Sequence, residues 1–131
     1  MRPPLEFFFD YGSPYSYLAD SRLPQLAERT GVAIRYRPML LGGVFKATGN
    51  RSPALEPIDA KRNYGGLALR RTAQAHGTTV NGNPHIRINA LMLMRTAFAA
   101  QHQGVFEVNH HTIYPAFWID GLNLGDEAVL A

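Results

Sequence analysis

Along this chain the spacing of apolar positions changes several times, and each change predicts an element. Leu5 to Phe9 is short, apolar and aromatic, which predicts a buried strand. Asp10-Tyr11-Gly12 reads as a tight loop, Ser13 as an N-cap and Pro14 as a first helical residue. The helix that follows carries Tyr17, Leu18, Leu23, Leu26 and Ala27 on one face and stops at Gly31, with Pro24 expected to bend or break it. Val32 to Arg37 alternates as a half-buried strand ended by Pro38, completing a β-α-β unit with a right-handed crossover. Met39 to Phe45 is apolar but broken by Gly42-Gly43, and residues 47–57 read as a loop. Helical spacing returns from Ile58 to His76, with Tyr64, Leu67, Leu69 and Ala73 as core candidates and Gly77 as its cap. After a loop over residues 78–88, Asn89 is expected to cap a helix that stops at Gly104. Phe106 to Trp118 reads as a further helix despite Pro115, with Phe117 and Trp118 in the core, and Leu124 to Leu130 as the start of another. Two strands alone make a poor core, so further strands, from this chain or another, are expected.

Composition narrows the chemistry. The length of 131 residues suits one domain, and 46% hydrophobic with 18% charged residues is ordinary for a globular protein. A net charge of +3 suits an anionic small ligand; the basic residues are scattered and not interleaved with aromatics, so nucleic acid is not an expected partner. No run is long enough for a membrane span, and Met1-Arg2-Pro3-Pro4 lacks the marks of a signal peptide, so a cytoplasmic location is expected. There is no cysteine, which removes disulfides, thiolate metal sites and dithiol chemistry together. His85, His102, His110 and His111 show no metal-ligand spacing, and neighbouring His110 and His111 point about 100° apart on a helix, so no metal is expected.

Ser13-Pro14-Tyr15-Ser16 then becomes the most informative stretch. It stands where a thioredoxin-like βα unit carries Cys-Pro-x-Cys, with serine at both sulfur positions. Such a scaffold is suited to a sulfur atom it does not own, most economically that of glutathione. A helix start and a hydroxyl donor both favour a thiolate over a thiol. The dipole contribution, roughly 0.3–2 kcal/mol, corresponds to about one pKa unit. On the Ser-Pro motif alone Ser13 reads first as an ordinary N-cap; without a base it is a donor and not a nucleophile. Ser16 is a secondary candidate, and Tyr15 and Tyr17 are expected to pack, with a pocket-lining role as the alternative. A tripeptide bearing two carboxylates also wants an amide and a cation, for which Asn50 and Lys61 are candidates, with Arg51 and Arg62 as alternatives for the cation.

The stretches Phe8 to Leu18 and Arg37 to Asn50, with Ala60-Lys61-Arg62, the Asn89 helix and Phe117 to Gly121, closely resemble the 2-hydroxychromene-2-carboxylate isomerase family. That family is related to kappa-class glutathione transferases and to DsbA-type oxidoreductases. The resemblance implies an α/β, thioredoxin-like βαβ unit over residues 1–46 and a helical insertion over 47–131. It also implies a C-terminal truncation, because a cis-proline loop and a ββα part are expected after Leu130. It implies glutathione as cofactor, Ser13 as the thiol-activating serine, and Ser13, Tyr15, Asn50 and Lys61 as the glutathione-binding residues. The implied reaction interconverts 2-hydroxychromene-2-carboxylate and trans-o-hydroxybenzylidenepyruvate, a small aromatic carboxylate substrate in aromatic-compound catabolism, and a homodimer is expected. Two alternatives are a kappa-like glutathione transferase and an inactive oligomerising fragment.

Overall fold

The computed structural model describes residues 2–131. Its order is β1 (Leu5–Phe9), α1 (Pro14–Asp20), α2 (Leu23–Thr30), β2 (Ile34–Pro38), α3 (Leu41–Thr48), a 3-10 turn (Pro53–Leu55), α4 (Asp59–His76), α5 (Leu91–His102), α6 (Phe106–Trp118) and α7 (Glu127–Leu130). β1 and β2 pair in parallel, Leu5 with Ile34 through Phe9 with Pro38. The β-α-β unit is therefore as expected, although its helix is divided at Ser21-Arg22 and Pro24 sits in the first turn of α2, where a missing N–H is harmless.

β1 is not the fully buried strand that its composition predicts. Phe9 is fully buried, while Phe8 is 53% exposed. The reason is the pleat: successive side chains face opposite sides, and only one side of this sheet is packed. On the inner face Phe7 stacks on Phe9, and Tyr36 meets Phe9 edge to face. On the outer face Glu6 pairs with Arg35 and Arg37 at 3.7 and 3.4 Å, and the Arg37 guanidinium lies 6.0 Å from the Phe8 ring centre. These exposed pairs contribute little to stability.

The core lies between the inner sheet face, α1, α5 and α6. Phe9, Tyr11, Leu93, Phe117 and Trp118 are its largest fully buried side chains. Pro115 lies inside α6, three residues before its end, and its carbonyl accepts the closing bonds from Ile119 and Asp120 at 2.8 and 3.0 Å. Three further expectations change in detail. Gly42-Gly43 lies within α3, not at a break. Asn89 caps from one place earlier, its Oδ1 accepting the Leu91 N–H at 3.1 Å while Ala90 holds the N-cap position. Tyr64 is exposed on α4, and Ala73 is the residue of that helix which is buried.

Candidate functional site

Parallel strands deliver their carboxyl ends to one side, where ligand crevices of open α/β sheets form. Here the β1–α1 turn and the start of α3 emerge together. Ser13 has extended backbone angles, and its Oγ accepts the Ser16 N–H at 3.2 Å, as an N-cap should. Only 6% of Ser13 is exposed. Its hydroxyl hydrogen has no acceptor among the described residues, so it is available to something in the cleft. Of the first helical amides, Pro14 has none, while those of Ser16 and Tyr17 bond the Ser13 side chain and carbonyl; the Tyr15 N–H is left over. Because α1 has seven residues and not the longer run expected, little dipole supports an anion here, and the hydroxyl carries the site.

The turn holding Ser13 is anchored from several sides. The Tyr11 carbonyl accepts the Trp118 indole N–H at 2.8 Å. The Tyr11 hydroxyl lies 3.2 Å from His110 Nδ1, and His110 Nε2 lies 2.9 Å from an Asp20 oxygen. His110 is thus committed to the core and is no base for Ser13. Burial drives the Tyr11 hydroxyl far up from its ordinary pKa, with the Asp20 charge adding to this, so it stays protonated. Asp10 is buried; its Oδ1 accepts the Gly12 N–H and its Oδ2 the Leu41 N–H, both at 2.8 Å. Burial raises the Asp10 pKa, and these two bonds partly oppose the rise.

A cleft of about 530 Å³ opens beside Ser13, between the β1–α1 turn, α3, residues 52–56 and one face of α4. Ser13, Tyr15 and Lys61 all line it, so three of the four residues expected to bind are brought together. Asn50 is not among the lining residues; its Oδ1 accepts the Arg51 N–H at 2.9 Å. Arg62 also lines the cleft but is held by Asp59 and by the Glu56 carbonyl, which leaves Lys61 as the cation without a partner among the described residues. Gly65 and Gly66 form a bare stretch of the same α4 face: a Cβ at either would meet nothing within 4 Å. Phe45 and Leu41 add apolar surface. Among the described residues no group of His, Asp and Glu converges as a metal site.

In sequence Asp10 reads only as a turn residue, and nothing there announces its bond to Leu41. The Asp-Tyr-Gly turn signals the local half, but a partner 31 positions away leaves no local trace.

With this geometry in place, comparison with known proteins is specific. The profile of the DSBA-like thioredoxin domain matches residues 4–131. A protein of Pseudomonas putida named 2-hydroxychromene-2-carboxylate isomerase is 31% identical over 118 residues, covering 90% of this chain and 57% of that protein. Glutathione S-transferase kappa 1 of Caenorhabditis elegans is 48% identical over 73 residues, 55% of this chain and 31% of that one. A solved structure of 2-hydroxychromene-2-carboxylate isomerase superposes with a TM-score of 0.78 at 28% identity, over 95% of this chain and 60% of that one. The chain thus spans less than two thirds of the length of these relatives.

Proposed function

This chain belongs to the DSBA-like thioredoxin domain family, and from that premise we propose that it binds glutathione and serves a glutathione-dependent cis-trans isomerisation. The proposed reaction is the interconversion of 2-hydroxychromene-2-carboxylate and trans-o-hydroxybenzylidenepyruvate in aromatic-compound catabolism. The observation that carries this reading is the Ser13 hydroxyl, buried at the cleft wall, accepting one hydrogen bond and free to donate another. The cleft fits the tripeptide in kind: a hydroxyl and the Tyr15 amide for a thiolate, and the Lys61 ammonium for a carboxylate.

Glutathione, when bound, would supply the thiol for reversible addition to the conjugated chain of the substrate. The rest is the protein's part. Ser13 donates its hydrogen toward the sulfur position, which favours the ionised form there. The Ser16 N–H, bonded to Ser13 Oγ, fixes the direction of that donation. Lys61 attracts a carboxylate to the α4 wall, and Tyr15, 56% exposed, flanks the entrance. Asn50 is assigned to the rim of this site on the family resemblance.

No described helix is long and apolar enough to cross a membrane. The reading places the protein in the cytoplasm, where glutathione keeps thiols reduced, and as a homodimer. Calorimetric titration with glutathione tests the binding step; heat of binding at millimolar ligand is expected, and its absence sinks the reading. The similarity to a kappa-class transferase favours one rival, conjugation with release of a thioether. Product analysis separates the two, because an isomerase leaves the free glutathione concentration unchanged with turnover.

A further inference from the structure

The Asp10 carboxylate is 3% exposed and forms no ion pair among the described residues. Burying a carboxylate without a counter-ion is costly, and capping a turn does not require one. An asparagine could hold the Gly12 N–H alone. Two N–H donors on different elements need two acceptor oxygens, and a carboxylate has both where an amide has one. Those donors lie on separate walls of the cleft. Gly12 belongs to the turn that presents Ser13, and Leu41 is the first residue of α3. The approach is close: a Cβ on residue 12 would stand 3.3 Å from Asp10 Oδ1.

We propose that Asp10 is a positioning residue which couples the Ser13 turn to α3 and so fixes the spacing of the two cleft walls. Its effect on ligand binding rests on the glutathione reading above; the coupling itself does not.

The link can be cut from either end. Asp10→Asn removes one acceptor. Leu41→Pro removes the far donor, and the backbone accepts it: proline is tolerated at a first helical position, and Leu40 already has the extended angles that precede a proline. Leu41→Ala removes the same leucyl side chain but keeps the N–H, and is the control. Amide exchange by NMR reads the coupling. In Leu41→Pro the Ser16 amide, on the opposite wall, is expected to exchange about tenfold faster, with α5 amides unchanged and Leu41→Ala like the parent. In Asp10→Asn the amides of Gly12, Ser16 and Leu41 are expected to speed up together. Unchanged Ser16 exchange in Leu41→Pro overturns the coupling. Glutathione affinity is measured on the same samples, with Leu41→Ala giving the cost of the lost leucyl surface; Leu41→Pro is expected to bind about tenfold more weakly than Leu41→Ala, and Asp10→Asn about tenfold more weakly than the parent. Faster exchange with unchanged affinity reduces Asp10 to a structural brace and overturns the positioning role. If the parent protein itself binds no glutathione, the functional reading falls, and the exchange at Ser16 decides the coupling.

Discussion

Ser13 has one role as an N-cap and a second in the proposed reaction, and substitutions can divide them. Ser13→Ala deletes the Oγ that accepts the Ser16 N–H at 3.2 Å, which for an N-cap costs about 1 kcal/mol. For 131 residues, at an unfolding entropy of roughly 2.1 cal/mol/K per residue, this lowers the melting temperature by about 4 °C. The second role concerns the ligand. A hydrogen bond to a charged acceptor is worth about 1.5–3 kcal/mol, so losing it should raise the pKa of the bound thiol by roughly 1–2 units. The thiolate fraction at neutral pH then falls about tenfold or more. Ser13→Asp separates the effects, because aspartate caps as well as serine but places a negative charge against the sulfur. We expect Ser13→Asp to melt near the parent temperature and to lose glutathione binding, and Ser13→Thr to keep both properties. Thermal unfolding by circular dichroism, with ultraviolet titration of the bound thiolate, reads the two quantities on one sample. A Ser13→Ala protein that melts lower while its bound thiol titrates like the parent's would refute the donor role and leave Ser13 as a cap.

Lys61→Met is expected to weaken glutathione binding about threefold, the scale of an exposed ion pair, whereas Asn50→Ala changes it less, because Asn50 is off the cleft wall; calorimetry ranks the two. Gly65→Ala, whose Cβ meets nothing, should stabilise α4 by about 1 kcal/mol in denaturant unfolding, while Gly31→Ala, at a φ of 68°, should destabilise by a similar amount. Asp10 gives a pH prediction. Burial raises its folded pKa above the unfolded value, so between the two values the folded state binds more protons. Its contribution is then greatest below the unfolded value and is lost as pH rises through the folded one, at no more than about 1.4 kcal/mol per pH unit. The stability difference between the parent and Asp10→Asn should therefore shrink as pH rises from acid toward neutral; a difference that grows means the bonds to Gly12 and Leu41 outweigh burial.

What the sequence made legible was local. Ser13 and Pro14 announce α1, and Gly31 and Gly77 end their helices in the left-handed region, because each signal acts within one turn of chain. The aromatic run of β1 misled about burial because composition does not say how many faces of a sheet are covered; Phe8 is apolar yet lies outside with Glu6, Arg35 and Arg37. Tyr64 misled for a related reason: helical spacing finds a face, but α4 turns a face of Lys61, Gly65 and Leu69 toward the cleft and leaves Tyr64 in solvent. For the site, Ser13 and Lys61 are candidates by their chemistry, whereas Tyr15 reads first as a packing residue; all three line one cleft. Asp10 to Leu41 and Trp118 to Tyr11 were invisible because each joins residues far apart in sequence by a hydrogen bond that leaves no periodic mark.

The same geometry bears on which of the two glutathione chemistries the cleft favours. A donor that stabilises a thiolate lowers the pKa of the thiol. That raises the ionised fraction and makes the sulfur a better leaving group, while its intrinsic nucleophilicity falls by less than the pKa change. Conjugation gains only from the first effect, because its product keeps the carbon–sulfur bond. Isomerisation gains twice, since the sulfur must both arrive and depart. On the proposed reading the stabilising element is the Ser13 hydroxyl, a fixed donor to which no base is bonded: His110 is tied to Asp20 at 2.9 Å, and the Asp10 carboxylate is spent on two backbone amides. On the glutathione reading, a site that stabilises the departing sulfur as well as the arriving one is better matched to reversible addition than to one-way conjugation. That asymmetry is the physical ground for preferring the isomerase reading over the transferase.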